Sequence, residues 1–295
     1  MNFEDMVDEV LMNVAGYTQR QDQATYLTAA MVEADTQFTV QDGTVLSRGL
    51  VEIDDELVWV DRFDRVNGIA YIAPAGRGFR NSTVAPHAIG ARVTISPSYP
   101  RVVVKKAINN AIAGVYPDLF GTFYTTFPFV ATRSTYQLPS DALDVLAVSW
   151  QTVGPTKEWL PVRRWRIDKT ANPQTFNTGK SLSVYDGIVP GRTVNVVYSK
   201  KPTKLVLNSD DFLDSGLPDS SEEVIILGAS YRVAAYLDQP RVTGMSVEAD
   251  AIDQSNPSGA GAQVSRYLFA QYKDRLSVEV RRQQEYFPVR VHYTR

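Results

Sequence analysis

The chain has 295 residues, of which 44% are hydrophobic and 21% charged, a composition typical of soluble proteins with two or three small cores. It has no cysteine and two histidines, which excludes disulfides, thiolate zinc sites, iron–sulfur clusters and cysteine nucleophiles and disfavours a multi-histidine metal site. No apolar stretch approaches the roughly 20 residues of a membrane-spanning helix, and the acidic start MNFEDMVDEV is unlike a secretory signal, so we expect a soluble protein made in the cytoplasm, with no cleaved leader and no membrane partner.

The net charge of −3 conceals opposite charges at the two ends of the chain. Residues 1–61 contain thirteen acidic side chains and two basic ones, whereas residues 262–295 contain seven basic and three acidic ones. A subunit with oppositely charged ends can bind another copy head to tail through complementary fields. Solvated helix faces are the alternative explanation of the same pattern.

The first part of the chain predicts a helix, a small β module and a second helix. Apolar residues recur at helical spacing over residues 2–15, and Gly16 suits the end of that helix. From Tyr26 to Ile95 the period changes to two, with Asp-Gly, Asn-Gly and Gly-Arg-Gly turn signals between the segments. Pro100 can begin the second helix, whose spacing predicts these buried positions: Val104, Ile108, Ala111, Ile112 and Val115.

A second β region and two more helices are predicted for the rest of the chain. Five short strands fall between residues 121 and 205, a spacing typical of a sandwich or a small barrel. Ser220 and Glu223 form a capping-box signature at the start of a third helix. Residues 250–262 are rich in Gly, Ser, Pro and Asn and predict a mobile loop, after which a long helix with many arginines ends at Pro288.

These elements predict an α+β fold: a small helical bundle of four helices, interrupted by two β-rich inserts and followed by an extended C-terminal tail. The first two helices are too short to bury much surface alone, so we expect them to pack against the last two. The predicted domains are a helical body (1–20, 101–120 and 211–287), a β-rich insertion module (21–100), a second β domain (121–210) and the tail (288–295). The alternating tail is typical of an exposed strand that pairs with a partner's sheet edge.

Sequence fingerprints of nucleophile elbows, phosphate loops, zinc proteases and dinucleotide sites are absent. A Ser-His-Asp triad would need His87 or His292, and His292 lies close to the end of the tail. We therefore expect His87 to be a turn residue that caps a backbone carbonyl, and we predict no enzyme activity and no cofactor. A carboxylate-based polysaccharide hydrolase is an alternative, because a glycosidase needs only two carboxylates.

Three further features have an ordinary structural explanation. The acidic clusters at 54–56 and 219–223 lack EF-hand spacing, so we predict turn and N-cap carboxylates and no metal site. Acidic residues are interleaved with the arginines of the last helix, which favours protein contact over tight DNA binding. Tryptophans that could line a sugar groove all lie in strand-like segments, where core packing is expected: Trp59, Trp150, Trp159 and Trp165.

Two segments carry a resemblance to a known family. The stretch RGFRNSTVAPHAIGARVTISPSYPRVVVKKAINNAI contains an Arg-Gly, Thr, Ala, His, Gly, Val pattern at these positions: Arg77, Gly78, Thr83, Ala85, His87, Gly90 and Val93. A second segment, LFAQYKDRLSVEVRRQQEYFPVRVHY, looks like a last helix and tail. Together with the order of elements, they resemble the head-to-tail adaptor (connector) proteins of tailed bacteriophages, in which such a pattern closes a β insert before a helix rich in Ile and Asn.

The resemblance implies a structural virion protein at the head–tail junction, present in the host cytoplasm during assembly. It implies a closed ring of about twelve adjacent subunits. The ring lies below the portal protein ring and above a tail or stopper protein. Double-stranded DNA passes through the ring during packaging and ejection without sequence readout. It also implies that Gly78 and Gly90 allow tight turns.

Docking onto the portal is assigned, as a hypothesis, to the end of the last helix and the tail: Arg281, Arg282, Pro288, Val289, Arg290, Val291, His292, Tyr293 and Arg295. A phage tail protein that binds glycans, or a minor tail protein, is an alternative. We rank it lower because the sequence lacks trimeric coiled-coil heptads.

Overall fold

The computed structural model describes residues 1–15, 22–153, 157–235 and 260–288. Over these residues the fold is mixed α+β, as predicted, with four α-helices and several antiparallel sheets. The helices are α1 (Phe3–Ala15), α2 (Arg101–Gly114), α3 (Glu222–Ala234) and α4 (Ala260–Tyr286). Their arrangement as one bundle stays a prediction.

Thirteen strands lie within the described residues. They are β1 (Gln23–Tyr26), β2 (Gln37–Thr39), β3 (Gly49–Ile53), β4 (Glu56–Asp64), β5 (Ile69–Ile72), β6 (Arg92–Ile95), β7 (Gly121–Pro128), β8 (Thr135–Gln137), β9 (Asp144–Gln151), β10 (Trp159–Pro161), β11 (Trp165–Asp168), β12 (Ser181–Val184) and β13 (Thr193–Lys200).

The chain divides into two compact units, and the division falls within the helices. The first unit comprises Met1–Phe3, Ala111–Ile225 and Lys273–Arg295, and the second comprises Glu4–Asn110 and Ile226–Tyr272.

The β strands of the second unit form a small closed barrel. Six antiparallel strands are ordered β1-β6-β3-β4-β5-β2, and a bridge between Leu27 and Val40 joins the two outer strands. The buried side chains of the barrel are mostly β-branched or aliphatic, such as Val51, Ile53 and Val93. Closure leaves fewer strand edges open, and the alternating sequence between residues 26 and 95 supplies one inward and one outward face.

Turns of the barrel form where the sequence predicts them. Asp64 accepts hydrogen bonds from the amides of Val66 and Asn67 at 3.0 and 3.3 Å, and Gly68 has φ 64° in the turn between β4 and β5. A side chain on Gly68 would place its Cβ 2.6 Å from the carbonyl oxygen of Val40, so glycine is required there for space as well as for conformation.

The first unit contains a four-stranded sheet, ordered β10-β9-β13-β7, and a three-stranded sheet, ordered β11-β12-β8. Both sheets contribute to one core, in which Leu182 and Val184 lie with Val194 and Val196. This is the packing expected of a β-sandwich. The sequence predicts five strands here and the structure has seven, because β7 was not recognised and the segment around Pro161 forms two strands.

The helices begin and end close to their predicted positions. Every predicted buried position of α2 is at most 1% exposed, and the amide of Val104 donates to the carbonyl of Pro100 at 3.1 Å. The predicted end of α1 at Gly16 lies outside the described residues. Ala260 to Ala262 belong to α4 and not to the predicted loop, which agrees with the high helix propensity of alanine. The rest of that loop lies outside the described residues.

Helix α3 begins at Glu222, two residues after the predicted N-cap. The hydroxyl of Ser220 donates to the carboxylate of Glu279, at 2.6 Å, instead of forming the predicted capping box. A buried acceptor 59 residues further along the chain has therefore replaced a local interaction.

Candidate interaction site

The C-terminal third of α4, where sequence analysis places the docking residues, is anchored by a buried carboxylate. The side chain of Glu279 is 1% exposed and accepts hydrogen bonds from the hydroxyl of Ser220 at 2.6 Å and from Nη1 of Arg282 at 2.8 Å. Nη2 of Arg275 lies 3.4 Å from the same carboxylate and Nε of Arg275 lies 2.8 Å from Glu223. Each charge in this cluster has a partner, which allows Glu279 to be buried.

A second anchor lies one residue after Arg282. The side-chain amide of Gln283 accepts from the amide of Phe120 at 3.2 Å and donates to the carbonyl of Phe120 at 2.7 Å. The rings of Phe120 and Phe287 are 6.4 Å apart. These contacts fix the end of α4 beside the start of β7, so the chain leaves the described structure from a defined place.

The predicted docking residues differ in their exposure and in whether they form ion pairs within the chain. Arg282 is half exposed and paired with Glu279, whereas Arg281 is exposed and has no ion pair with any described residue. Pro288 is exposed and is the last described residue. The remaining predicted docking residues lie outside the described residues: Val289, Arg290, Val291, His292, Tyr293 and Arg295.

His87 is a member of a buried ionic network, and the prediction that it caps a carbonyl in a turn is wrong. Its backbone pairs with Met31, and its ring is 2% exposed. Nδ1 lies 2.8 Å from Oδ2 of Asp54 and Nε2 lies 3.0 Å from Oε2 of Glu56. Asp54 lies in the turn between β3 and β4, and Glu56 is the first residue of β4. Both are more than 30 residues from His87 in sequence, so local sequence patterns did not reveal them.

Glu56 is the centre of this network. Its side chain is fully buried, and Arg77 donates to both of its oxygens, at 2.7 and 2.9 Å. The amides of Gly78 and Ala85 donate at 3.0 and 3.1 Å. Burial alone would raise the pKa of Glu56, but these hydrogen bonds and that of His87 together lower the pKa to about 2. The network therefore ties the segment that closes the barrel to β4.

The contacts of Arg77 and the conformations of Gly78 and Gly90 give a structural reason for the Arg-Gly, Thr, Ala, His, Gly, Val pattern at residues 77–93. Arg77 also donates to the carbonyls of Val32 and Ala85, both at 2.8 Å, so one guanidinium joins three parts of the chain. Gly78 and Gly90 have φ values of 60° and 82°, which confirms that both positions need a turn conformation that glycine adopts at no cost.

The acidic clusters make ion pairs and hydrogen bonds within the protein. Besides Asp54 and Glu56, Asp55 lies 2.5 Å from the ammonium of Lys105. In the other cluster, Glu222 lies 3.6 Å from the N-terminal amine of Met1. Among the described residues no group of three or more His, Cys, Asp or Glu side chains is placed to hold a metal ion.

Two of the four tryptophan side chains pack against a hydrophobic core. Trp150 and Trp165 lie against the core of the first unit, and Trp59 lies 5.1 Å from the ring of Phe79. Trp159 is 46% exposed, so it departs from the predicted core packing.

Glu52 is an important buried group that sequence analysis missed. It is 4% exposed on β3, and its Oε1 accepts from the amide of Arg101 at 2.5 Å, at the first turn of α2. Burial raises the pKa of Glu52 to about 8, although the amide and guanidinium of Arg101 oppose the rise. Arg101 in turn pairs with Asp8 of α1 at 2.5 Å. Glu52 alternates with Val51 and Ile53, which face the barrel core, so it lies on the outer face of β3, where the sequence pattern predicts an exposed side chain. Its burial depends on Arg101, 49 residues further along the chain, and no local sequence signal indicates it.

Comparisons with known proteins support a structural role. None of the described helices is long and apolar enough to cross a membrane. No curated protein matches the chain. The sequence model of the SU10 adaptor protein family matches residues 82–291, more than two thirds of the chain. The match to this family indicates a bacteriophage structural protein that is a component of the virion and interacts with other virion components. It also favours a structural over an enzymatic role. The chain belongs to the SU10 adaptor protein family.

Proposed function

We propose that this protein is a head-to-tail adaptor: it forms a ring below the portal, joins the capsid to the tail, and lets genomic DNA pass without sequence readout. The observation that carries the proposal is the family match over residues 82–291, which begins in the segment that closes the barrel and extends into the tail. The adaptor also contacts a tail or stopper protein on its other side.

The distribution of charge supports a ring of identical subunits. A closed ring needs heterologous contacts, in which one surface of a subunit meets a different surface of the next. The acidic residues of 1–61 and the basic residues of 262–295 provide complementary surfaces for such contacts. We propose about twelve subunits in the ring.

The exposed end of α4 supports the assignment of the portal-docking residues. Glu279 and Gln283 fix this end to the body, so a partner that binds here is held rigidly. Arg281, which has no ion pair with the described residues, offers a positive charge to a partner, and the residues that follow Pro288 supply the remaining docking residues. Docking proceeds by strand addition of Val289–Arg295 or through its arginines.

The net charge of −3 supports passage of DNA without capture. A basic channel would neutralise phosphates and release counterions, which would bind DNA and slow its movement. An acidic molecule avoids this attraction.

Binding to an immobilised portal ring tests the docking surface. We expect the full chain to be retained, deletion of Val289–Arg295 to abolish retention, and Arg281→Ala to weaken binding about tenfold through loss of a charged contact. Arg133→Ala changes an exposed arginine outside the two oppositely charged regions, so it is the matched control and should bind normally. Full retention of the deletion variant would refute the proposed docking site, and no retention of the intact chain would refute the adaptor role.

A further inference from the structure

A loop of the first unit, the aliphatic loop (residues 205–214), exposes two consecutive apolar side chains. Val206 is 78% exposed and Leu207 is 63% exposed. The carboxylate of Asp210 fixes the shape of the loop, because one of its oxygens accepts from the amides of Val206 and Leu207 at 2.7 and 2.8 Å. Two buried residues hold the loop to the body: Leu205 and Phe212. The exposed side chains are therefore presented by a backbone that is fixed by the fold.

A second apolar surface, the tryptophan edge, consists of Val153 and the edge strand β10. All three residues of β10 are exposed, with Trp159 at 46% and Leu160 at 40%, and Val153, just after the neighbouring strand β9, is 66% exposed. Successive side chains of a strand point to opposite faces, so Trp159 and Leu160 make both faces of this edge apolar. Pro161 has no amide, so β10 suits contact through side chains better than addition of a strand.

The two apolar surfaces lie at opposite ends of the four-stranded sheet. Leu160 lies in one row, across β9, with Val194, the second residue of β13. At the other end Gly216, which follows the aliphatic loop, accepts at 2.9 Å from the amide of Thr122 in β7. Thr122 pairs with Ser199, next to the last residue of β13. Five residues of antiparallel strand span about 17 Å, so the two surfaces of one subunit do not cover each other.

The charges around the two apolar surfaces are opposite. Residues 205–214 contain three acidic side chains and no basic one: Asp210, Asp211 and Asp214. Residues 157–164 contain one acidic side chain, Glu158, and three exposed basic ones: Lys157, Arg163 and Arg164. Apolar surface within a polar, charged rim is the usual composition of a protein interface. The two surfaces are therefore complementary to each other in charge as well as in apolar character.

A second copy of the chain is the partner that this arrangement fits. In a ring of identical subunits, one surface of each subunit contacts a different surface of the next. Two unlike, complementary surfaces at opposite ends of one sheet meet this requirement. A two-fold dimer would instead bring the same surface of both copies together, and the like charges of the two rims would then repel each other.

We propose that the aliphatic loop of one subunit packs against the tryptophan edge of the next subunit, where Leu207 covers apolar surface of β10. The inference rests on the proposed ring and deepens it, because it names an apolar contact between neighbouring subunits. This contact adds to the attraction between the oppositely charged ends of the chain.

Cysteine crosslinking tests this contact without background, because the chain has no cysteine. Leu160→Cys and Leu207→Cys are combined in one full-length chain, which is bound to a candidate portal ring and treated with a short thiol-to-thiol crosslinker. We expect a ladder of covalent multimers, since each link joins opposite ends of neighbouring subunits, and no multimers from either single variant. Dimers from a single variant would indicate contact between like surfaces and would overturn the proposal.

The matched control for crosslinking combines Leu160→Cys with Val66→Cys. Val66 is 93% exposed in a turn of the barrel, so its thiol would be as reactive as one at position 207 without lying at the proposed contact. We expect multimers to form about tenfold more slowly in this control. Equal rates in the two double variants would also overturn the proposal.

Leu207→Asp gives a second, independent readout. The substitution would bury a charge against the apolar edge, so we expect subunits to associate about tenfold more weakly in the ring, as measured by mass photometry. Because Leu207 is exposed, the unfolding midpoint of the variant should be unchanged. Val66→Asp is the control and should form the ring normally. Normal ring formation by Leu207→Asp would refute the contact.

Failure of this contact and failure of the adaptor role have different outcomes. A ring on the portal that shows no links between positions 160 and 207 would refute the contact and leave the adaptor role intact. If the unsubstituted protein formed no ring on its cognate portal, the adaptor role would be refuted, and this contact with it.

Discussion

At the scale of single residues, the best-defined polar feature is the network of Glu56, Arg77 and His87 in the barrel. It has the composition of a catalytic site, a histidine between two carboxylates beside an arginine. Every one of its charged groups is engaged with another part of the chain, and Glu56 and His87 are inaccessible. The geometry is that of a structural network of hydrogen bonds and ion pairs, which holds the segment that closes the barrel in place.

Glu56→Gln tests this role. The amide would pair poorly with the guanidinium of Arg77 and leave it buried without a counter-charge, so we expect a loss of about 3–5 kcal/mol in the free energy of unfolding. Urea denaturation monitored by tryptophan fluorescence measures the change. Asp61→Asn, which breaks the exposed pair of Arg48 and Asp61, is the matched control and should cost less than about 1 kcal/mol.

The effect of Glu56→Gln should depend on pH. The pKa of Glu56 falls from 4.5 to about 2 on folding, so its carboxylate stabilises the folded state above pH 4.5 and loses this contribution as the pH falls toward 2. The difference between the two proteins should therefore shrink over that range. An equal difference at pH 3 and pH 7 would contradict the assignment.

At the scale of elements, local sequence patterns predicted the features that depend only on residues close together in sequence, such as buried helix faces and turns. The apolar spacing in α1 and α2 identified their buried faces, because a helix places residues three and four apart on one side. The Asn-Gly turn before β5 was recognised for the same reason. Packing partners could not be found this way, since Ser220 and Glu279, or His87 and Glu56, are brought together only by the fold.

The missed strand β7 illustrates the limit of pattern reasoning. Its segment GTFYTTFP has threonine and aromatic residues on both faces, so strict alternation of apolar and polar residues is absent. Its pairing along the whole length of β13 defines it as a strand. Among the predicted docking residues, sequence analysis did not distinguish Arg282, which pairs with Glu279, from Arg281, which pairs with none of the residues that the structure describes. That difference depends on the burial of Glu279.

The link between β3 and α2 gives a second prediction. The pKa of Glu52 rises from 4.5 to about 8 on folding, so the folded state becomes less stable as the pH rises from 4.5 to 8, by at most about 1.4 kcal/mol per pH unit. Glu52→Gln keeps the acceptor for the amide of Arg101 and cannot ionise. We expect this variant to be more stable than the unsubstituted protein at pH 8.5 and similar at pH 4.5.

Unfolding by urea at several pH values measures this dependence. Glu33→Gln changes an exposed glutamate of the same unit and should leave the pH profile unaltered. If Glu52→Gln and Glu33→Gln gave the same profile, the buried Glu52 would not be the titrating group.

The anchor at the end of α4 gives a third prediction. Gln283→Ala removes both hydrogen bonds to Phe120 and leaves two backbone groups without partners, so we expect the last turn of α4 to open more readily. Hydrogen exchange of residues 280–287 should become about tenfold faster. Gln284→Ala, at the exposed neighbouring position, is the control and should not change the exchange.

At the scale of the whole molecule, the proposed adaptor requires one chain to supply two different surfaces for ring closure and a contact for the portal. The acidic first part of the chain provides one ring surface, and the basic last part, which includes the anchored end of α4 and the tail, provides both the other ring surface and the portal contact. A ring formed in this way needs no enzymatic site and no base-specific contact to DNA. Because ring contacts between charged surfaces are screened by salt, assembly should weaken as ionic strength rises.

Mass photometry of the protein mixed with a candidate portal ring tests the central claim most directly. The account predicts that the mass of the portal species rises by about twelve subunit masses at low ionic strength. The variant without Val289–Arg295, shown to be folded by its unfolding transition, should leave the portal mass unchanged. A folded intact protein that leaves the mass of its cognate portal ring unchanged would contradict the account.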